Sequence, residues 1–304
     1  MTIYFAIAAA VFGAIIGSFL NALSFRWGTG QGMVWAHSTP LRASPSTSFD
    51  NTQDKSLRAS RSRCMQCSHP LGAIDLVPIF SYLFLRGRCR YCYSRVSIQY
   101  PAVEAAAAFV SFVVYLQNQL SLSAYSFWFV VWMTLLFVVV YDLRHTIIPW
   151  ACSITLALLA IFYLALTISG KLDFVSPTFW PAADPILWTL LAGPLLALPL
   201  FLFSLISRGT WMGWGDGALE LSLGWLLGLA YGATALMIAF WSGAFVGVLL
   251  ILLSKITPTS ASRGGAQRFT IKSEIPFAPF LVLGAFIVYA LHLNFFTTLP
   301  LLLQ

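Results

Sequence analysis

The sequence predicts an all-α polytopic membrane protein, and three observations support that fold class. Of the 304 residues, 59% are hydrophobic and only 9% are charged, whereas soluble domains carry about 25% charged residues. Several uncharged stretches reach the length of about 20 residues that a helix needs to cross the hydrocarbon core. Aromatic residues make up 15% of the chain and include 11 tryptophans, as expected for rings at membrane interfaces.

The uncharged stretches define the predicted spans. Residues 1–25 carry no charge and lack the basic region and cleavage site of a secretory signal, so we interpret them as a retained first span. The stretch 105–141 is too long for one span and contains a polar turn signal, Gln117-Asn118-Gln119, so it predicts two. One span each is predicted for 146–170, 185–207 and the tail after Glu274, whereas 221–254 fits one helix or two.

The positive charges decide how the stretch 221–254 is divided. If it forms two spans with a turn near Tyr231-Gly232, every Lys and Arg except Lys171 falls in loops on one side of the membrane. Positive residues concentrate in cytoplasmic loops. We therefore predict eight spans, with both termini on the outer side.

This topology divides the chain into three predicted parts: a first transmembrane helix at 1–27, a cytoplasmic loop with four cysteines at 28–100, and a seven-span membrane domain at 101–304. The first half of the loop, Thr39 to Ser60, is polar and poor in apolar residues, which indicates a flexible segment. The net charge of +7 is explained by the positive loops. Because no groove-reading motif accompanies that charge, we predict no nucleic-acid partner.

Four cysteines in the loop predict a structural zinc site. Cys64-x-x-Cys67 is followed after 21 residues by Cys89-x-x-Cys92, a spacing typical of a zinc ribbon with four thiolate ligands. A reducing cytoplasm disfavours disulfides, and a metal would supply folding energy that this polar loop lacks. Four thiolates leave no open position for catalysis at the metal.

Other interpretations of the cysteines stay open. The four thiols could be redox-active or unliganded, and His69 is an alternative ligand, although a solvated loop histidine is the simpler interpretation. Neighbouring arginines would offset the negative charge of a four-thiolate zinc ion. The fifth cysteine, Cys152, lies in an apolar stretch and is expected to be a small core residue.

Two aspartates at the ends of predicted spans are candidate catalytic residues. Asp142 closes the third span, and Asp216 lies in Gly213-Trp214-Gly215-Asp216-Gly217, between the fifth and sixth. A carboxylate at membrane depth is costly and marks a functional site. Asp142 alone could instead be an interfacial anchor paired with Arg144 or His145. The topology, however, puts both aspartates at cytoplasmic helix ends, where they can meet.

Two carboxylates in contact favour general acid–base hydrolysis of a peptide bond. They cannot both ionise cheaply, so they share one proton. The charged member can take a proton from water while the protonated member polarises the scissile carbonyl. A Ser-His-Asp mechanism is disfavoured, because none of the four histidines accompanies a serine in a nucleophile elbow.

These features resemble the type IV prepilin peptidase family (prepilin leader peptidase/N-methyltransferase), and the resemblance covers nearly the whole chain. The cysteine spacing and the two aspartate motifs are similar to those of the family. Further matching motifs are Gly17-Ser18-Phe19-Leu20-Asn21 with Arg26, Phe80-Ser81-Tyr82-Leu83, Leu85-Arg86-Gly87-Arg88-Cys89-Arg90, and Tyr100-Pro101-Ala102-Val103-Glu104.

The resemblance implies a membrane aspartic peptidase of the bacterial inner membrane. Asp142 and Asp216 would be its catalytic pair, with Gly213, Gly215 and Pro149 supporting the active-site loops. Its substrates would be prepilins or pseudopilins of type IV pilus or type II secretion systems, embedded in the same membrane lipid and cleaved after a glycine at the cytoplasmic face. It would also N-methylate the new terminus, with S-adenosylmethionine as methyl donor.

The chain departs from the family pattern at several positions. Trp150 stands where an acidic or amide residue is usual after Pro149, Ala218 replaces a usual lysine, and the linker from Gly30 to Arg61 is long. No G-x-G-x-x-G fingerprint locates a methyl-donor site. The cytoplasmic segment and Glu104 are candidates for that site, although Glu104 could equally be an interfacial carboxylate.

Three alternatives remain at this point. A presenilin-like intramembrane protease shares the Tyr-Asp and Gly-x-Gly-Asp motifs, but the chain has no Pro-Ala-Leu triplet. A degenerate family member would bind substrates without cleaving them. A transporter or membrane scaffold would use the aspartates for ions and the zinc-ribbon segment for docking. The sequence specifies no oligomeric state.

Overall fold

A computed structural model describes residues 2–27, 64, 66–67, 69–119, 121–169, 186–209, 212–256 and 276–296. The predicted flexible stretch Thr39–Ser60, the long linker and Lys171 lie outside these ranges. The described helices are α1 (Thr2–Arg26), α2 (Phe80–Phe84), α3 (Gln99–Gln117), α4 (Leu122–His145), α5 (Trp150–Ile168), α6 (Ile186–Ile206), α7 (Trp214–Leu227), α8 (Leu229–Ile256) and α9 (Ala278–Leu291), together with a 3-10 turn at Ala73–Leu76.

The described residues confirm the all-helical membrane fold class. No strand is present in these ranges, only an isolated antiparallel bridge between Arg88 and Arg95. All helices except α2 are at least 14 residues long, and in order they match the eight predicted spans. Five stretches are long and apolar enough to cross a membrane: Ile3–Phe25, Gln99–Gln117, Leu122–His145, Trp150–Ile168 and Leu229–Leu253.

The turn signal at 117–119 separates two helices as predicted. Helix α3 ends at Gln117 and α4 begins at Leu122, after the Ser121 side chain accepts a hydrogen bond from the Ala124 N–H at 3.2 Å. Buried Asn118 donates to the Tyr289 hydroxyl on α9 at 2.8 Å. The polar run therefore ends one helix and also ties the connection to α9.

The break within 221–254 was predicted at the wrong residue. Helix α7 ends at Leu227, and Gly228 (φ 81°, ψ 171°) separates it from α8. A side chain would strain this backbone conformation. Tyr231 and Gly232 instead lie within α8, where the Gly232 N–H donates to the Gly228 carbonyl at 2.8 Å. The helix breaks at Gly228, because the φ and ψ of this residue are not helical.

The chain forms two compact units, residues 1–112 and 113–304. In the first unit, α1 packs against α3 through small residues. A Cβ at Gly17 would lie 2.5 Å from the Ala107 Cβ, so only glycine permits this approach. The Ser111 hydroxyl also donates to the Ala9 carbonyl at 2.6 Å. The glycine of the first-span motif is therefore a helix-packing residue.

In the second unit, α7 is surrounded by other helices. It packs against α5, α6, α8 and α9. A Cβ at Gly224 would lie 2.8 Å from the Gly193 Cα, so the backbones of α7 and α6 approach closely. Because protein encloses it, α7 need not be apolar enough to face lipid. Its buried residues are Asp216, Gly217, Leu219, Glu220, Ser222, Leu223, Gly224, Leu226 and Leu227.

Candidate active site and metal centre

Asp216 lies in the first turn of α7. One of its carboxylate oxygens, Oδ2, accepts a hydrogen bond from the Gly213 backbone N–H at 3.2 Å, and the residue is 8% exposed. The helix N-terminus adds unpaired N–H groups that favour negative charge. Gly213 therefore fixes the orientation of this carboxylate through its backbone.

Asp142 lies in the last turn of α4 and is 5% exposed. The helix ends at Thr146, whose backbone is left-handed (φ 53°) and whose N–H donates to the Asp142 carbonyl at 2.8 Å. On the side chain, the backbone amide of Ala278 at the start of α9 interacts with the carboxyl group. The other oxygen, Oδ2, is buried without a hydrogen-bond partner among the described residues.

The neighbouring histidine has a different partner. The His145 ring stacks on Tyr141, with centroids 4.3 Å apart, and His145 is exposed whereas Asp142 is buried. An anchor at the membrane surface would be solvated, whereas the side chain of Asp142 is buried. The carboxyl group of Asp142 therefore belongs to the interior of the second unit.

The structure brings Asp142 and Asp216 together. The two aspartates lie close enough for the charge of Asp142 to influence the Asp216 carboxyl. The loop after α4 also contacts the start of α7, since a Cβ at Gly215 would lie 3.0 Å from the Ile148 Cβ. A larger residue at 215 would press on the Ile148 side chain, which would have to shift by a few tenths of an ångström. Two helix ends distant in sequence therefore present buried carboxyl groups to each other.

Two further contacts support this arrangement. Pro149 is buried and precedes α5, and its carbonyl accepts a hydrogen bond from the Cys152 N–H at 3.0 Å. On the opposite side of Asp216, a Cβ at Gly217 would lie 2.7 Å from the Phe201 ring. The small residue at 217 thus lets α7 pack tightly on α6.

The departures from the family pattern occupy different environments. Trp150 is 79% exposed at the first position of α5, so its ring projects away from the helix core. Ala218 is half-buried on α7, two residues beyond Asp216. The pair forms without an acidic group at 150 or a lysine at 218.

Glu220 is a third buried acid within the described residues of the second unit, and the sequence interpretation missed it. It follows Asp216 by one helical turn, so the two side chains share a face of α7. Glu220 is 1% exposed, and its Oε1 has no hydrogen-bond partner among the described residues. A charge inside a predicted membrane domain is the signal that would have identified it, but Glu220 was treated only as the boundary of an uncharged stretch.

The four loop cysteines form one cluster. Their sulfur atoms all lie within 4.8 Å of one another, and the Cys64 and Cys92 sulfurs are 3.8 Å apart. Tetrahedral zinc with bonds of about 2.3 Å separates its sulfur ligands by about 3.8 Å. The donor set and spacing therefore fit a four-thiolate zinc ion.

The backbone prepares this cluster for a metal. The N–H of Cys64 donates to the His69 carbonyl at 3.0 Å, and the N–H of Cys89 donates to the Ser94 carbonyl at 2.8 Å, so both Cys-x-x-Cys turns fold back in the same way. Backbone N–H groups of Cys67 and Gln66 lower the pKa of the Cys64 thiol to about 6, which favours the thiolate that binds metal.

Three other residues considered in the sequence analysis, His69, Cys152 and Glu104, are not part of the cysteine cluster. The His69 ring stacks on Tyr91, with centroids 3.8 Å apart, and the metal-compatible cluster in the described ranges contains cysteines only. Cys152 is buried in α5, as expected for a core residue. Glu104 accepts a hydrogen bond from the Ile79 backbone N–H at 2.7 Å through Oε2, so one of its oxygens has a structural partner.

Comparison with known proteins decides the family. The profile of the Bacterial Peptidase A24 N-terminal domain matches residues 11–118. A prepilin leader peptidase/N-methyltransferase of Aeromonas hydrophila is 30% identical over 278 residues, which cover 91% of this chain and 87% of that protein. The chain belongs to the type IV prepilin peptidase family.

Other family members match over a similar extent. Proteins of the same name are 29% identical in Pseudomonas putida, over 93% of this chain and 90% of theirs, and in Pectobacterium carotovorum subsp. carotovorum, over 95% and 93%. No solved structure gives a significant match. Membership, together with the five apolar helices, makes this a multi-pass membrane enzyme of the prepilin peptidase family.

The cysteine cluster generates a prediction about metal content. The purified wild type should contain about one zinc per chain, since four thiolates bind a single ion. Cys89→Ala should lose most of that zinc and destabilise the loop, because three ligands hold the ion less tightly and zinc binding contributes folding energy. Elemental analysis checks this. Cys152→Ala is the matched control and should keep its zinc; equal zinc in both variants would contradict the assignment.

Glu220 generates a prediction about stability. A buried carboxyl oxygen without a partner costs about 1–3 kcal/mol, so Glu220→Met should unfold at the wild-type temperature or a few degrees higher in detergent. Leu219→Met, a substitution of similar volume at the adjacent buried position, should cost less than about 1.5 kcal/mol. A large drop for Glu220→Met alone in thermal unfolding would mean that Glu220 has a stabilising partner.

Proposed function

We propose that this protein is an aspartic endopeptidase that removes the leader peptides of prepilins or pseudopilins. The observation that carries the proposal is the meeting of two buried carboxyl groups, Asp142 and Asp216, at adjoining helix ends. Family membership supports a peptidase. Acid–base hydrolysis requires two titratable groups that act on one water and one carbonyl, and we assign these roles to Asp142 and Asp216.

The proposed reaction uses one charged and one protonated carboxyl. The charged member takes a proton from a water molecule, whose oxygen attacks the carbonyl carbon of the scissile bond. The protonated member donates its proton to the carbonyl oxygen. Collapse of the tetrahedral intermediate then breaks the C–N bond: a proton passes from the first carboxyl to the leaving amine, and the second carboxylate takes a proton back from a hydroxyl of the intermediate, which restores the starting pair.

The surroundings of the two aspartates are compatible with one charged and one protonated carboxyl. Asp216 has a backbone donor, the Gly213 N–H at 3.2 Å, which keeps its carboxyl group in place. Asp142 keeps Oδ2 without a partner among the described residues, and that oxygen is free to bind water or substrate. Buried surroundings strengthen interactions of these groups with developing charge.

We place the active site at the cytoplasmic face of the bacterial inner membrane. Both aspartates lie within one turn of a helix end, and the positive loops are expected on the cytoplasmic side. A basic leader would then lie near the inner surface while the hydrophobic segment of the substrate stays in the bilayer. The bond between them would reach the depth of the carboxyl pair.

N-methylation of the new terminus is part of the proposal, because the relatives carry N-methyltransferase in their name. S-adenosylmethionine would supply the methyl group. Zinc would have a purely structural role in the loop, since four thiolates complete its coordination. Neither group takes part in the hydrolytic step.

Substitution of either aspartate tests the catalytic assignment. With a prepilin-like substrate and purified protein, Asp142→Asn and Asp216→Asn should each lose about 100-fold or more of the cleavage rate, as general acid–base groups contribute about 10²–10⁴-fold. Both variants keep the shape of the side chain, so thermal unfolding and zinc content should remain near wild type.

The control makes the same carboxyl-to-amide change elsewhere. Asp75 lies in the cysteine-containing loop, where its carboxylate accepts from Arg90 at 2.9 Å, the Tyr91 hydroxyl at 3.2 Å and the Gly72 N–H at 3.1 Å, and an amide oxygen can accept hydrogen bonds from the same groups. Asp75→Asn should therefore cleave at close to the wild-type rate. Substantial cleavage by either active-site variant would refute the pair, and a folded, zinc-loaded wild type without activity would favour a degenerate or scaffold function.

A further inference from the structure

A short apolar segment in the first unit has a surface that the peptidase function does not explain. This segment, residues 74–84, contains the end of the 3-10 turn and all of α2. Its large apolar side chains project outward: Ile74 is 70% exposed, Phe80 61%, Leu83 64% and Phe84 84%. A cluster of exposed large apolar side chains in one short segment indicates an interaction site.

The ends of the membrane helices in the same unit indicate the depth of this segment in the bilayer. Phe25, at the end of α1, stacks on Tyr100, at the start of α3, with ring centroids 5.3 Å apart. Aromatic rings at helix ends sit at the level of the lipid headgroups, and Arg26 follows directly. The Phe25–Tyr100 pair therefore marks the membrane boundary for this unit.

One hydrogen bond links the apolar segment to α3 near that boundary. The Ile79 N–H donates to the Glu104 carboxylate at 2.7 Å, and Glu104 is one turn further into α3 than Tyr100. Four residues of helix advance about 6 Å along the axis. Because helical side chains tilt toward the helix N-terminus, the start of α2 lies beside the first two turns of α3, close to the level of the aromatic pair.

The bond also holds a backbone shape that the chain would not adopt freely. Ile79 has φ 62°, an uncommon value for a β-branched residue. Glu104 is 7% exposed, and a buried carboxyl group needs hydrogen-bond partners. The contact is therefore a fixed feature that orients α2 relative to α3.

Positive charge follows the apolar segment immediately. Four arginines in this stretch are exposed: Arg86, Arg88, Arg90 and Arg95. The carboxylate of Asp75 forms an ion pair with Arg90 at 2.9 Å and accepts a hydrogen bond from the Tyr91 hydroxyl at 3.2 Å. Exposed apolar side chains beside clustered arginines are typical of segments that lie in an anionic membrane interface.

We propose that residues 74–84 insert into the membrane leaflet at the end of α1 and the start of α3, with the following arginines on anionic lipid headgroups. The occupant of the apolar surface is thus lipid, not a protein partner. The inserted segment holds the four-cysteine cluster at the membrane surface, since Cys89 follows Phe84 by five residues. This inference requires only the membrane helices and stands apart from the peptidase proposal.

Photocrosslinking tests the proposal with the full-length protein. The photoreactive residue p-benzoyl-L-phenylalanine replaces Phe84 in one variant and Gln66, an exposed residue of the first Cys-x-x-Cys turn, in the control. Both proteins are placed in nanodiscs of phosphatidylglycerol and phosphatidylcholine, and each must retain wild-type zinc content. Mass spectrometry after irradiation measures the fraction of protein carrying a phospholipid adduct.

The proposal predicts several-fold more lipid adduct from position 84 than from position 66, and a lower yield from 84 when phosphatidylcholine replaces all phosphatidylglycerol. Equal yields from the two positions would overturn it. So would crosslinking of position 84 to an added prepilin in place of lipid, because the apolar surface would then be a substrate-docking site.

Discussion

The structure depends on one constraint: α7 carries two acids and must be kept away from lipid. Asp216 and Glu220 lie one turn apart on a helix of 14 residues, and a carboxyl group facing hydrocarbon is costly. The second unit meets this constraint by surrounding α7 with four other helices. The neighbouring apolar helices face the lipid, and α7 occupies the interior that they create.

Small residues make that enclosure possible. Gly224 lets the α7 backbone approach α6, and Gly217 accommodates the ring of Phe201. At the start of the helix, Gly215 brings Asp216 against the loop that follows Asp142. The close helix packing that shields the acids from lipid therefore also brings the candidate catalytic pair together.

Much of this could be predicted from the sequence, because a membrane restricts the possible folds. Uncharged stretches and the distribution of Lys and Arg gave the eight helices, and the cysteine spacing gave the cluster whose sulfurs lie within 4.8 Å. The helix break was placed at Gly232 instead of Gly228, since composition alone does not reveal which glycine has a positive φ. Glu220 was overlooked because it was treated only as the boundary of an uncharged stretch, and its enclosure by four helices is visible only in the structure.

The position of α2 shows a similar limit. Its exposed apolar side chains can be read from the sequence, but their depth follows from the bond between Ile79 and Glu104, residues 25 positions apart. The loop motifs shared with the family thus have distinct physical roles: the cysteines form a cluster that fits a metal ion, and Glu104 fixes the segment that precedes it to a membrane helix.

The most direct test of the central claim, that Asp142 and Asp216 act as one unit, is the cleavage rate of the double variant Asp142→Asn/Asp216→Asn beside both single variants. Residues that act as a unit give strongly non-additive losses. The account predicts that the double variant cleaves no more slowly than the slower single variant. Losses that multiply would show two independent contributions and would contradict a shared active site.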